Sequence, residues 1–213
     1  MKHVRHLFWD FDGTLFDSYP GICGCFLKGL ADLGLAQLLD HDQLMILMKH
    51  SIGYAANWCA ERSGRSAEEI MDAYRVYRNQ PHSDPPYEGL ADCLRRLHDA
   101  GFHHYLYTHS HQSAIDQIKR ENLWQYFDDA VIGSDGFPLK PAPDALLALM
   151  ERNHLSPNEC AMIGDRDIDA LAGQNAGMNG VLFDPDDYFP EFRPELTVRS
   201  MKELADVLLE MQN

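Results

Sequence analysis

The chain has 213 residues, 45% hydrophobic and 24% charged, with 15 Gly and 11 Pro; this excludes disorder and fibrous repeats and suits a globular protein able to bury a core without staples. Eighteen Lys and Arg against 33 Asp and Glu leave a formal charge of −15, which would repel a phosphate backbone, so duplex nucleic acid is not expected as a partner. The five cysteines form no C-x-x-C pair, the N-terminus does not resemble a signal peptide, and no apolar stretch could span a bilayer, so the expectation is a reducing cytoplasm and no membrane partner.

Residues 4–9 are apolar and aromatic and stop abruptly at Asp10, a pattern that predicts a buried strand followed by a loop. From about residue 18 to residue 80 the period is helical. Ile22, Phe26 and Leu30 recur every four residues, Ile70, Ala73, Tyr74 and Tyr77 mark one face of a later helix, and Ser66 with Glu69 forms a capping box at its start. Cys23 and Cys25 stand two apart on the first of these helices and face different sides, which predicts packing rather than redox chemistry. The breaker-rich segment at residues 80–86 ends the helical stretch and marks a unit boundary.

Beyond it, strand-like and helix-like periods alternate. Leu90, Leu94 and Leu97 line a helix that Gly101 can close, residues 102–107 read as a strand ending at Thr108, and residues 114–122 as a helix. Ala130, Val131 and Ile132 form a short strand; Leu146, Leu149 and Met150 mark a helix with Pro143 in its first turn. Residues 160–163 predict a strand ending at Gly164-Asp165, Val181 to Phe183 the last strand, and residues 201–211 a closing helix. The acidic loop of Asp184, Asp186 and Asp187 reads as a solvated face, and His3, His6, His103, His104 and His111 as structural or solvent-facing.

Such alternation predicts an α/β fold, a parallel sheet covered by helices on both faces, because parallel strands need crossover connections. Ligands bind such open sheets at the carboxyl ends of the strands. The strand-ending residues are Asp10, with Asp12 two further on, Thr108 and Asp165, while Lys140 lies on the loop after the third strand. Asp10, Asp12, Asp165 and Asp169 cannot all stay ionised near one another without a positive charge. With no His or Cys beside them, a hard, oxygen-bound cation such as magnesium suits them better than zinc. Lys140 and the hydroxyl of Thr108 are suited to the non-bridging oxygens of a phosphoryl group.

These residues fall into four motifs, Asp10-Phe11-Asp12-Gly13-Thr14-Leu15, Tyr107-Thr108-His109-Ser110, Leu139-Lys140-Pro141 and Gly164-Asp165-Arg166-Asp167-Ile168-Asp169. In that order they resemble the haloacid dehalogenase superfamily along the whole chain, nearest its phosphoglycolate phosphatase and phosphomutase branch. The resemblance implies a doubly wound, Rossmann-like α/β core over residues 1–15 and 85–213, with a small α-helical cap at 16–84. It makes Asp10 the phosphoryl-accepting nucleophile and Asp12 the acid/base. Asp10, the main-chain carbonyl of Asp12, and Asp165 would hold Mg2+, and Asp169 would orient Lys140 or a metal-bound water. Gly13, Thr108, His109 and Lys140 would meet the substrate phosphate. His109 departs from the family, which often has Asn or a small residue there, and Asp12 argues against a dehalogenase.

The expectation is a magnesium-dependent phosphatase acting on a small soluble phosphomonoester through a phosphoaspartyl intermediate. A phosphomutase using the same aspartates, and a non-enzymatic module that binds a metabolite or is phosphorylated on Asp, are the alternatives. In the cap, Lys49, His50, Ser51 and Arg62 are candidates to face the substrate, with an ordinary surface role as the simpler reading of each. Neither the substrate nor the oligomeric state can be read from these patterns.

Overall fold

In the computed structural model of the chain, which describes residues 1–80 and 84–212, the first apolar run becomes strand β1 (His6–Trp9). It lies inside a six-stranded sheet with β2 (His103–Tyr107), β3 (Phe127–Val131), β4 (Cys160–Gly164), β5 (Asn179–Phe183) and β6 (Leu196–Val198). The spatial order is β3-β2-β1-β4-β5-β6 and every pairing is parallel. The chain runs outward from β1 through β2 to β3, then crosses to β4 on the other side of β1, so the strand order reverses beside β1. That is where an open α/β sheet has its ligand crevice.

Period-two alternation distributes the strand residues between two layers. Leu7, Trp9, Leu106 and Ile163 pack with helices α5 (Leu90–Asp99), α6 (Gln112–Arg120) and α9 (Met201–Glu210). Phe8, Tyr105, Tyr107 and Met162 pack on the opposite face with α7 (Asp144–Arg152) and with Ala172 of α8 (Asp167–Asn175). Both faces are thus covered, as a parallel sheet requires. Within the core the Trp9 indole N–H donates to His104 Nδ1 at 3.1 Å, and burial pushes His104 down to about 3, so its ring stays a neutral acceptor.

Contacts divide the chain into two units, Met1–Phe16 with Pro86–Asn213, and Asp17–Pro85. Among the described residues the second holds four helices, α1 (Tyr19–Asp32), α2 (His41–His50), α3 (Ile52–Ser63) and α4 (Ala67–Arg78), around Ile22, Phe26, Leu30, Leu44, Met48, Ile70 and Tyr74. The capping box forms as expected, with Glu69 N–H donating to Ser66 Oγ at 3.1 Å and Ser66 N–H to Glu69 Oε2 at 2.8 Å. Gly29 lets α1 approach α4 closely, since a Cβ there would lie 2.8 Å from the Ala73 and Tyr74 backbone. Cys23 is buried and Cys25 half-buried, both as free thiols.

Four expectations need correction. Val181 to Phe183 is not the last strand, because Leu196–Val198 adds β6 at one edge. The Ala130 strand begins at Phe127 and carries Asp128 and Asp129 along the opposite edge. Asp184 is not solvated: it is buried and accepts the N–H groups of Tyr188 and Phe189, both at 2.9 Å, which ties down the loop after β5. Lys49 is also buried, its ammonium 4.3 Å from the centre of the Tyr19 ring, so it is no ordinary surface lysine. Of the breaker segment, residues 81–83 lie outside the described residues.

Candidate active site

Asp10 follows β1 directly, its N–H bonded to Ile163 O of the adjacent β4 at 2.9 Å, and Asp165 follows β4. Because β1 and β4 are parallel neighbours in register, with Trp9 beside Ile163, the two aspartates emerge side by side. After Asp10 the chain folds back at once. Gly13 takes φ 78°, a left-handed conformation that suits glycine, and its N–H reaches Phe16 O at 2.8 Å.

The charged centre is Lys140. Its ammonium, on a fully buried side chain, lies 2.6 Å from Asp10 Oδ1 and 2.8 Å from Asp169 Oδ1, and donates to Tyr107 O at 3.1 Å. Burial opposes the ammonium, but Asp10 and then Asp169 more than offset it and hold Lys140 above its ordinary value. Burial likewise opposes the charge on Asp169, yet Lys140 and then Arg166 outweigh it, so this carboxyl is held below its usual range. Asp10 goes the other way: burial, helped by Asp169 and Asp165, pushes it up to about 7 against the pull of Lys140.

Carboxylate oxygens of Asp10, Asp165 and Asp169, all buried, lie within 4.8 Å of one another. The donors are hard oxygens, which fits a hard divalent cation such as Mg2+. Of the three, Asp169 is already engaged on both oxygens, Oδ1 by Lys140 and Oδ2 by the Arg166 N–H at 3.1 Å. Asp10 Oδ1 meets the same ammonium, so Lys140 bridges two of the three carboxylates.

The loop after β2 completes the site. Thr108 is buried, its N–H donates to Val131 O at 3.1 Å, and its hydroxyl oxygen accepts the Ser110 N–H at 3.0 Å. The Ser110 hydroxyl donates to Asp12 Oδ2 at 2.6 Å. His109 Nε2 accepts the Lys140 main-chain N–H at 3.0 Å. Asp10, Asp169, Lys140 and His109 are thus linked by hydrogen bonds and ion pairs, Asp165 lies alongside, and Asp12 is tied to Ser110 of the same loop as His109.

Sequence reasoning assigned no role to several residues of this network. Ser110 stood in a motif without a function. Gly164 is required because a Cβ there would lie 2.1 Å from Asp169 Cβ, and Asn175 Nδ2 donates to Pro141 O at 2.9 Å, holding the lysine loop from the other side. Glycine and asparagine late in a strand and a helix carry no pattern that announces such roles. In the other unit, Ser51 caps α3 by accepting the Tyr54 N–H at 2.9 Å, His50 is exposed beside Tyr54, and the exposed Arg62 guanidinium lies 4.0 Å from the centre of the Trp58 ring. Among the described residues no helix is long and apolar enough to cross a membrane.

Comparison with known proteins gives the family. Residues 7–183 match the family model described as haloacid dehalogenase-like hydrolase. The chain is 32% identical to the pyrophosphatase PpaX of Halalkalibacterium halodurans, over 96% of this chain and 97% of that protein. It is 29% identical to a phosphoglycolate phosphatase of Vibrio vulnificus, over 98% and 97%. Among solved structures, a haloacid dehalogenase-like hydrolase from Streptococcus pneumoniae superposes with TM-score 0.81 at 21% identity, covering 97% of this chain and 99% of that one, which shows the shared fold.

Proposed function

The chain belongs to the haloacid dehalogenase-like hydrolases, and from that premise we propose that it is a magnesium-dependent phosphatase releasing inorganic phosphate from a small soluble phosphate compound. The observation that carries this reading is the buried Lys140 ammonium held between Asp10 and Asp169 at the end of β1, with Asp165 alongside.

Asp10 is the proposed nucleophile. Its carboxylate oxygen attacks phosphorus as the bond to the leaving oxygen breaks, and Asp12 gives that oxygen its proton. Water then attacks phosphorus, Asp12 takes up the water's proton, and the bond to Asp10 breaks, restoring the carboxylate and freeing phosphate. Ser110 holds Asp12 through the 2.6 Å bond to Oδ2, fixing the side chain that must serve both steps. Lys140 and the Thr108 hydroxyl stabilise charge on the non-bridging oxygens, and Gly13 allows the backbone to approach them. The Asp10 and Asp165 carboxylates and the Asp12 main-chain carbonyl would hold Mg2+, which when bound neutralises charge on Asp10 and on the phosphoryl group.

The names of the relatives favour hydrolysis over phosphoryl return to a sugar, and extend the candidate substrates from monoesters such as phosphoglycolate to the anhydride pyrophosphate. We assign substrate choice to the helical unit, as a cap domain, with Lys49 and Arg62 as the residues to test. Phosphate release from phosphoglycolate, pyrophosphate, sugar phosphates and nucleoside monophosphates with Mg2+ tests the reading. Turnover of at least one with free phosphate as product is expected. Isomerised hexose phosphate would assign a mutase instead, and no release from any compound would favour a non-enzymatic module.

A further inference from the structure

We propose that His109 is a positioning residue: its imidazole, through Nε2, accepts the Lys140 main-chain N–H and thereby sets where the Lys140 ammonium stands against Asp10 and Asp169. The catalytic meaning of this contact rests on the phosphatase reading above; the contact itself does not.

Lys140 lies in an irregular loop, where no neighbouring strand or helix supplies a carbonyl for its amide, and a buried N–H needs an acceptor. The acceptor is a ring 31 residues earlier in the chain, at 3.0 Å. That ring is itself well anchored. The Gly133 N–H donates to Ser110 O at 2.8 Å, and a Cβ at Gly133 would lie 2.2 Å from His109 O, so the 109–110 backbone is seated tightly against the turn after β3. The ring meets Tyr107 edge-on, with centroids 5.9 Å apart. From the far side Asn175 holds Pro141 O, so the Lys140-Pro141 step is clipped at both ends, at its amide by His109 and at its carbonyl by Asn175.

Acceptance at Nε2 requires a lone pair there, so the hydrogen of the neutral ring must sit on Nδ1 and an imidazolium could not make the contact. The surroundings enforce this. Burial first, then the charges of Lys140 and Arg166, push His109 down to about 4 against the opposing pull of Asp169.

The test is a long-range proton–nitrogen NMR correlation on the 15N-labelled full-length protein, with the His109 signals assigned by their loss in His109→Gln. The inference predicts the Nδ1–H tautomer, unchanged between pH 8 and pH 5.5. An Nε2–H tautomer, or titration with a midpoint near 6.5, overturns it. In kinetics, His109→Ala is expected to lower kcat about 10-fold to 100-fold, as misplacement of a catalytic group does, with KM changed less than about threefold. His109→Gln, whose amide oxygen can reach the same amide, should recover to within about fivefold of the parent. Equal losses in both variants, or a loss confined to KM, would overturn the positioning role. Absence of phosphate release by the parent would fail the phosphatase reading while leaving the tautomer result to judge the contact.

Discussion

Replacing Lys140 by Met removes the ammonium from the carboxylate cluster while keeping most of the side-chain volume. In the parent, Nζ lies 2.6 Å from Asp10 and 2.8 Å from Asp169, and the three side chains are 0%, 6% and 0% exposed, so solvent screens the interaction little. Removing one partner of a buried charge pair costs about 3–5 kcal/mol, which for a chain of this size lowers the melting temperature by roughly 6–20 °C. The loss should depend on pH, with a definite sign. Without Lys140, Asp169 loses the main influence holding its carboxyl below its usual range, and Asp10 loses the larger of the two pulls opposing its rise, leaving that of Arg166. Both carboxyls then bind protons in the folded state that the unfolded chain has already released, so the variant loses stability as pH climbs above the ordinary carboxylate range. Denaturant unfolding of parent and variant without metal at pH 5.5 and pH 8 measures this, and the deficit should be larger at pH 8. A deficit below about 1 kcal/mol at pH 8, or one equal at both values, would refute the reasoning.

Asp12→Asn should leave the fold intact and reduce kcat at least about 100-fold, since it removes the proton carrier for both steps; near-parental kcat would deny Asp12 that role. Chelation should abolish phosphate release, restored by Mg2+. Because Asp10 stands at about 7 without a cation, protons compete with the ion, and the Mg2+ concentration for half activation should fall as pH rises from 6 to 8. In the helical unit, Gly29→Ala would press a methyl against the α4 backbone at 2.8 Å; overpacking should outweigh the gain in helix propensity and cost about 1–2 kcal/mol net in denaturant unfolding, with no loss contradicting the packing.

The centre of the sheet was legible and its edges were not. β1 and β4 are buried along nearly their whole length, so apolar runs and the aspartates that end them stand out in the chain. β3 and β6 are the two edge strands. One carries exposed Asp128 and half-buried Asp129 after Phe127 and the other has only three residues, and neither needs the continuous apolar run that burial on both faces imposes. At the site, side chains whose chemistry is local could be read: an Asp after a strand, a Thr after another. Contacts between distant loops could not, because nothing in residue order says that Ser110 reaches Asp12 or that His109 reaches the Lys140 amide. Asp184 and Lys49 were misjudged for the same reason, since charge predicts exposure until specific partners, such as the Tyr188 and Phe189 amides or the Tyr19 ring, come into place.

The most direct test of the account is capture of the phosphorylated enzyme. The protein is mixed with the best substrate and Mg2+, quenched in acid during turnover, and its peptides are sequenced by mass spectrometry. A phosphoryl group on Asp10, absent from Asp10→Asn, which should be folded and inactive, is the predicted result. Phosphate release by Asp10→Asn at the parental rate, or a phosphoryl group carried on a different residue, would contradict the assignment of Asp10 as the nucleophile.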